Sequence, residues 1–216
     1  MVTEMPKTSD PIPEPEQPDE LFVAFANTIS YEQGVLLDDV ADPAALLAWL
    51  HARGLLSERG QAAELQRLSR DPSEAARRLE RFRHLRDLLH GIAERASDGN
   101  RPTQRQVRDL NHVLRHGLHY NRLEPQGEGA ARYSVSQVGD RLDQARATIA
   151  SSLAYFLAGE DVDRLRVCDN RDSCAEVFID TSPTGRRRWC DMRVCGNQAK
   201  VARHRARARE RTPQPS

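Results

Sequence analysis

Several features of secreted, membrane-spanning and catalytic proteins are missing from this chain of 216 residues. No apolar run reaches the roughly 20 residues that a membrane-spanning helix needs, and no apolar signal segment is present. We therefore expect a cytoplasmic protein without a membrane partner. The chain has no phosphate-binding loop, no dinucleotide fingerprint and no nucleophile elbow. These absences predict that the protein is not an enzyme.

Cysteine is scarce, and all four cysteines lie in one short segment. They form two close pairs, Cys168 with Cys174 and Cys190 with Cys195. Structural disulfides are rare in a reducing cytosol, and neither pair has the two-residue spacing of a thioredoxin-like redox motif. The spacing instead predicts one zinc ion held by all four thiolates. Four thiolates complete a tetrahedral coordination sphere, so we expect this zinc to be structural rather than catalytic.

The residues around the thiols predict a small zinc finger over residues 161–211. Residues 176–180 are of strand type, residues 182–185 favour a turn, and residues 186–189 lead back towards the second cysteine pair. The run over residues 198–209 contains good or tolerable helix formers. The expected fold is treble-clef-like, with a knuckle, a β-hairpin and then a helix.

Positive charge is concentrated in this segment, although the whole chain balances 32 basic residues against 32 acidic ones. Residues 164–211 hold thirteen Lys and Arg residues against six Asp and Glu residues. Guanidinium groups bind phosphate bidentately, and a metal-fixed scaffold presents them at little entropic cost. DNA is therefore the predicted partner, contacted by basic residues of the hairpin and the terminal helix: Arg186, Arg187, Arg188, Lys200, Arg203 and Arg207. The alternative is a solvated face, because thirty of the 32 basic residues are arginine.

Short runs in this segment match a known family. Arg187-Arg188-Trp189-Cys190 is followed by Cys195-Gly196-Asn197, and Phe178 and Asp180 precede both runs at fitting positions. With the thiol spacing, they make the segment resemble a CGNR-type zinc finger. The resemblance implies a bacterial transcription regulator. This chain has Gln198 where the family's name-giving run ends in arginine.

The region before the finger, residues 21–160, predicts one helical domain with a single core. The apolar segment at its start is suited to a buried first helix. Helix start signals follow at Asp42, Asp71 and Thr103, and a further amphipathic segment runs from Asp140 to Leu157. The expected fold class is therefore mainly α, with a helical N-terminal domain followed by the finger.

This region also resembles a domain that usually precedes CGNR fingers, called ABATE. The resemblance rests on Phe25-Ala26-Asn27-Thr28, on Trp49-Leu50 followed by Gly54-Leu55, and on Leu110-Asn111. It implies a sensory or regulatory domain of a stress-induced bacterial transcription regulator. Within it, Asn27 and Thr28 are our candidate ligand-sensing residues. The alternative is that their amide and hydroxyl cap the end of the first helix.

Two further patterns allow more than one interpretation. His112, His116 and His119 are four and three residues apart, so one helix face could carry them either as ligands or as solvated side chains. Residues 1–20 hold five prolines and six acidic residues, which predicts a disordered acidic leader, either a tail that screens the basic finger electrostatically or a solubilising extension. We also expect residues 212–216 to form a disordered tail.

These observations predict a zinc-binding transcription regulator. The finger would contact DNA, and the helical domain would sense a signal or form a homodimer. The alternative is a protein-interaction module whose finger docks on an acidic partner in the transcription machinery. Phe178 and Trp189 are the aromatic residues available in the finger for reading bases, and we expect both to pack beside the metal. Phosphate contact is therefore favoured over base readout.

Overall fold

The computed structural model describes residues 18–32, 35–126, 133–159, 161–171 and 173–210. The expected acidic leader, apart from residues 18–20, lies outside these ranges, and so does the expected tail over residues 212–216. Residues 18–20 belong to the first helix, which begins three residues before the expected start of the helical domain.

The fold is mainly α, as the sequence predicts. The helices of the N-terminal domain are α1 (Pro18–Ala26), α2 (Pro43–Ala52), α3 (Glu58–Ser69), α4 (Pro72–Ser97), α5 (Gln104–His116) and α6 (Arg141–Ala158). The finger contributes α7 (Asn197–Glu210). Among the described residues, no helix combines the length and the apolar character that crossing a membrane requires.

Side-chain caps fix most of the helix starts. The Asp42 carboxylate accepts a hydrogen bond from the backbone of Ala45 at 2.8 Å, and Asp71 caps α4 in the same way. Thr103 and Gln106 form a reciprocal capping box at the start of α5. These three predicted starts are confirmed. Helix α3 was not predicted, although Ser57 caps it.

Two antiparallel hairpins of the helical domain were also missed. One pairs β1 (Ile29–Glu32) with β2 (Val35–Asp38), and the other pairs β3 (Tyr120–Pro125) with β4 (Tyr133–Val138). Their larger apolar side chains remain exposed, so these strands do not bury one face against the helices. A strand prediction depends on that alternation between a buried and a solvated face.

Helix α4 lies at the centre of the core and contacts each of the other five helices of the domain. Its Phe82 packs edge-on against Phe25 of α1, with ring centroids 5.9 Å apart. Phe22, also on α1, contacts Phe156 of α6 at 5.3 Å. The same core extends into the zinc finger, because Leu165, Val167 and Val177 are buried in it.

The finger's hairpin differs from the expected pairing. Strand β6 (Val177–Ile179) pairs with β5 (Leu165–Val167), which precedes the first cysteine. Residues 186–189, the expected partner, form no strand. Burial explains the difference, since both observed strands place apolar side chains in the core that contains α4, whereas three of residues 186–189 are arginine.

Candidate metal centre and its surroundings

Four sulfur atoms meet at one point between the finger's hairpin and α7. The Sγ atoms of Cys168, Cys174, Cys190 and Cys195 all lie within 4.8 Å of one another. Cys190 is 3.5 Å from Cys174 and 3.7 Å from Cys195. A tetrahedral zinc ion with thiolates at about 2.3 Å separates its sulfurs by about 3.8 Å. The cluster therefore fits one structural zinc ion.

The local backbone determines where each thiol lies. Cys168 directly follows β5, and Cys174 stands at the end of a turn in which its N–H bonds to the carbonyl of Asn170 at 2.9 Å. Ala175 leaves this turn with a φ of 58°, a left-handed conformation that is uncommon outside glycine. Cys195 lies in a π-helical turn over Met192–Gly196 that leads into α7.

The thiols strongly affect one another's ionisation. A hydrogen bond from Cys174 is the main reason why the pKa of Cys168 falls to about 2. The same hydrogen bond raises the pKa of Cys174 to about 12. A hydrogen bond between Cys190 and Cys168 is the main reason why the pKa of Cys190 is also raised. Ionisation of Cys168 is therefore favoured, whereas ionisation of Cys174 and Cys190 is opposed. A divalent cation removes this opposition by neutralising the additional negative charge.

A buried carboxylate supports the second half of the site. Asp180 is fully buried, and its two oxygens accept the backbone N–H groups of Ser182 at 2.9 Å and Arg187 at 2.7 Å. Burial raises the pKa of Asp180, but these hydrogen bonds outweigh that effect and lower the pKa overall. This role of Asp180 was not predicted. An aspartate two residues before a serine in a turn is a local signal for such a bond, because its carboxylate can accept the backbone N–H two residues on.

Phe178 and Trp189 pack against the cysteines, as predicted. Their rings are covered by arginine side chains: the Arg187 guanidinium lies 5.2 Å from the centre of Phe178, and that of Arg188 lies 5.1 Å from the centre of Trp189. The two aromatic residues therefore enclose the metal centre. This arrangement uses their faces for packing and cation–π contact rather than base stacking.

The three consecutive arginines have different environments. Arg186 is exposed and has no ion pair or hydrogen bond with another described side chain. Arg187 is half-buried, and its guanidinium donates to the carbonyl of Cys190. Arg188 is exposed but paired with Asp169, at 2.5 Å between Nε and the carboxylate. DNA contact by these arginines stays a prediction. Of the three, Arg186 is the one whose guanidinium has no side-chain partner among the described residues.

Helix α7 carries the remaining predicted DNA contacts. Lys200 and Arg203 are exposed and line a shallow open groove of about 480 Å³. The side chain of Arg207 lies outside the described part of the chain. Gln198 accepts a hydrogen bond from Asn170 at 2.8 Å, which ties the first cysteine loop to α7. The residue that replaces the family's arginine therefore has a structural contact here.

Asn27 and Thr28 already have protein partners. The Asn27 amide donates to the carbonyl of Val177 at 2.8 Å and accepts from its N–H at 2.9 Å. The Thr28 hydroxyl donates to the carbonyl of Phe25 at 2.8 Å, so the capping alternative is confirmed for this residue. It also accepts from buried Arg86 at 3.1 Å. A ligand-sensing role for either residue stays a prediction.

The three histidines are not brought together. His112 and His116 stack on α5 with ring centroids 4.4 Å apart, whereas His119 lies beyond Gly117, which ends the helix. The Nδ1 of His116 is 2.7 Å from the carbonyl of His112 and therefore donates to it. Within the described ranges, the four cysteines are the only cluster with metal-ligand spacing.

Replacing Asn27 with alanine is expected to weaken the attachment of the finger's hairpin to the helical domain. Both hydrogen bonds to Val177 disappear, which leaves a partly buried N–H and carbonyl without partners, and we expect a loss of about 1–3 kcal/mol in the free energy of unfolding. Urea denaturation measures this loss. Asn100→Ala is the control, because Asn100 is exposed and its amide bonds only within its own turn. Equal stability of the two variants would contradict the prediction.

The fold and the thiol centre define a helical domain that continues into a zinc finger with one structural zinc site. Residues 19–160 match the family model ABATE, described as "Putative stress-induced transcription regulator". Residues 164–208 match the CGNR zinc finger. The first match covers more than half of the chain, so the protein belongs to the ABATE family, and both resemblances are confirmed. Among curated proteins, none matches this chain.

Proposed function

We propose that this protein is a cytoplasmic, DNA-binding transcription regulator and not an enzyme, with the zinc finger contacting the DNA backbone. The observation that carries the proposal is the exposure of Arg186, Lys200 and Arg203 beside a metal-fixed scaffold. Their positions are set by the turn after β6 and by α7, so little conformational entropy is lost when they meet phosphates. Arginine side chains cover the rings of Phe178 and Trp189, which favours backbone contact over base stacking.

The helical domain is suited to controlling this finger. Strand β5 packs against α4 and strand β6 against α1, and Asn27 bonds directly to β6. The N–H of Val167 also donates to the hydroxyl of Ser97, at the end of α4. A change in the packing of α1 or α4 therefore acts on the hairpin that holds the first cysteine pair. We propose that the domain senses a signal and passes it to the finger through these contacts.

Replacing Arg186, Lys200 or Arg203 singly with alanine is expected to weaken DNA binding about equally for all sequences. Each lost phosphate contact lowers the slope of log affinity against log salt by about one. Fluorescence anisotropy with duplex DNA at several salt concentrations measures this slope. Arg70→Ala is the matched control, since Arg70 is exposed at the end of α3 in the helical domain.

The variant Arg187→Ala tests whether Arg187 contacts phosphate or supports the metal centre. The Arg187 guanidinium bonds to the carbonyl of Cys190, so its loss is expected to loosen the metal centre. Zinc release to a chromophoric chelator should therefore be faster for Arg187→Ala than for Arg186→Ala. DNA binding by this surface would be contradicted if the alanine variants of Arg186, Lys200 and Arg203 all retained zinc and kept both the DNA affinity and the salt slope of the wild type.

A protein partner is the second candidate, and one observation favours it. Met192, Val194 and Val201 are exposed apolar residues that stand among the basic residues around α7. Such a mixed surface fits an acidic segment that also carries apolar side chains. Replacing Met192 and Val201 together with serine discriminates between the candidates. If the finger binds DNA, the DNA affinity should stay unchanged. If it docks on an acidic partner in the transcription machinery, binding to that partner should fall.

A further inference from the structure

A groove of about 680 Å³ runs between α4 and α5, with one residue of α6 at its base. We infer that this groove binds a small organic anion, with a carboxylate or phosphate group attached to an apolar body. The inference deepens the proposed sensor role, on which it rests, by giving the signal a location and a chemical class. A volume of this size is in the range of sites for small molecules.

The residue at the base of the groove is Arg146, which is only 6% exposed. Its guanidinium pairs with Asp143 at 3.0 Å, and its Nε is buried without a partner among the described residues. Burial is also the main reason why the pKa of Arg146 is lowered. A buried polar group without a hydrogen bond is costly, and the side chain that carries it lines the groove, so an anion there would stabilise the charge of Arg146.

Asp143, the ion-pair partner of Arg146 among the described residues, is shared. Asp143 also accepts from Arg78 at 3.1 Å and lies 3.8 Å from Arg81. Three guanidinium groups therefore surround a single carboxylate, although Arg78 has Glu74 and Asp140 as further partners. Arg146 therefore shares its paired carboxylate with two other guanidinium groups, and an anion in the groove would supply a second counter-charge.

The walls of the groove add further groups of suitable chemistry. Leu85 and Leu88 of α4 and Val113 of α5 line it, and half-buried Leu88 provides most of their accessible apolar surface, because Leu85 and Val113 are buried. His112 and His116 line the same space, and the Nε2 of His116 is not used by the bond that its Nδ1 makes. The acidic residues that line the groove, Asp87 and Asp109, are exposed at its rim.

The acidic rim residues do not cancel the positive base. Asp109 lies 3.7 Å from Arg105, so its charge is already matched by a neighbour on the same helix. Asp87 is exposed to solvent, where charges are screened, whereas Arg146 is buried. Three arginines line the groove, Arg81, Arg105 and Arg146, against the two carboxylates Asp87 and Asp109. An anion is favoured there, and a cation is not.

Phenylacetate and phenyl phosphate are the probes for this inference, with phenylacetamide as the neutral control of the same shape. Binding to the zinc-loaded full chain is measured by NMR, following the imidazole signals of His112 and His116, and by calorimetry. We expect saturable binding of at least one anion, with phenylacetamide binding at least tenfold more weakly. The carboxylate and phosphate arms show which anion is preferred.

Arg146→Met tests the residue directly, because methionine keeps an unbranched side chain but removes the charge. We expect at least a tenfold loss of anion affinity, while Arg146→Lys keeps part of it. Arg141→Met is the matched control, since Arg141 is on the same helix, exposed and outside the groove. Circular dichroism checks that each variant is folded. If Arg146→Met does not fold, Arg105→Ala at the rim takes its place, with a smaller expected loss.

Three outcomes would overturn the inference: no saturable anion binding, equal binding of phenylacetamide, or unchanged affinity in the folded Arg146→Met variant. None of these measurements includes DNA. Anion binding without DNA binding would therefore support the groove and contradict the proposed regulator role. The opposite pattern would leave DNA binding intact and refute the groove.

Discussion

The double substitution Cys190→Ser, Cys195→Ser is expected to abolish zinc binding, reducing the metal content from about one zinc per chain to none. The two remaining thiolates, Cys168 and Cys174, leave half of the tetrahedral sphere without sulfur ligands. Structural zinc contributes about 10–16 kcal/mol in small finger peptides, and the aromatic residues that enclose this centre provide little core without it. Metal analysis of protein purified without chelator measures the loss, and DNA binding should disappear with it.

The unfolding in this variant should be confined to the second half of the finger. Strands β5 and β6 are buried in the core of the helical domain, so they have support that does not depend on the metal. Circular dichroism should therefore retain most of the helical signal. Val194→Ser is the control, because Val194 lies between the two substituted cysteines and is exposed. Zinc retention by the double variant, or complete loss of helicity, would contradict this account.

The substitution Asp38→Ala is expected to lower the free energy of unfolding by about 3–5 kcal/mol, the largest effect we expect outside the metal centre. Arg86 is only 4% exposed, and its guanidinium donates to both oxygens of Asp38, at 2.7 Å and 3.2 Å. Its other partner is the hydroxyl of Thr28. Without Asp38, a buried positive charge has no counter-ion in contact. Urea denaturation at pH 7 measures the loss.

The contribution of Asp38 to the free energy of unfolding should depend on pH in a defined direction. The hydrogen bond from Arg86 is the main cause that lowers the pKa of the Asp38 carboxyl below its ordinary value. The stabilisation is therefore complete above the pKa of the unfolded state, about 3.9, and is lost as pH falls through the lower folded-state pKa. The difference between wild type and Asp38→Ala should shrink below about pH 4.

Asp39→Ala is the matched control for this prediction. Asp39 is the next residue along the chain, and its side chain is exposed. Its substitution should change stability by less than about 0.5 kcal/mol, with little dependence on pH. A similar loss in both variants would show that the turn after β2, rather than the Arg86 ion pair, accounts for the effect.

Local signals in the sequence account for the features that were predicted. The thiol spacing identified the four cysteines, and the caps at Asp42, Asp71 and Thr103 identified three helix starts, because both depend on residues close together in the chain. The apolar character of residues 21–28 similarly identified a buried first helix, although it begins at Pro18.

Several of the features that were missed depend on distant residues, although the Ser57 cap of α3 is local. Asn27 and Val177 are 150 positions apart, and an asparagine at a helix end gives no sign that it will pair with a strand. The pairing of β6 with β5 depends on burial in the core of the helical domain, which local strand propensity does not contain. Arg186 and Arg187 are identical in sequence terms, and contacts with Phe178 and with the carbonyl of Cys190 distinguish Arg187.

The burial of β5 and β6 in the helical core also restricts how the protein could read DNA. A finger on a free tether could rotate to meet many arrangements of target site, but here α7 is anchored through Cys195 to a hairpin that the helical domain holds. The direction of α7 is therefore set by the body of the protein. If two copies associate, the distance and angle between their two basic helices are fixed by that association. Such a pair would select targets by the spacing between half-sites, even when each finger contacts only phosphates.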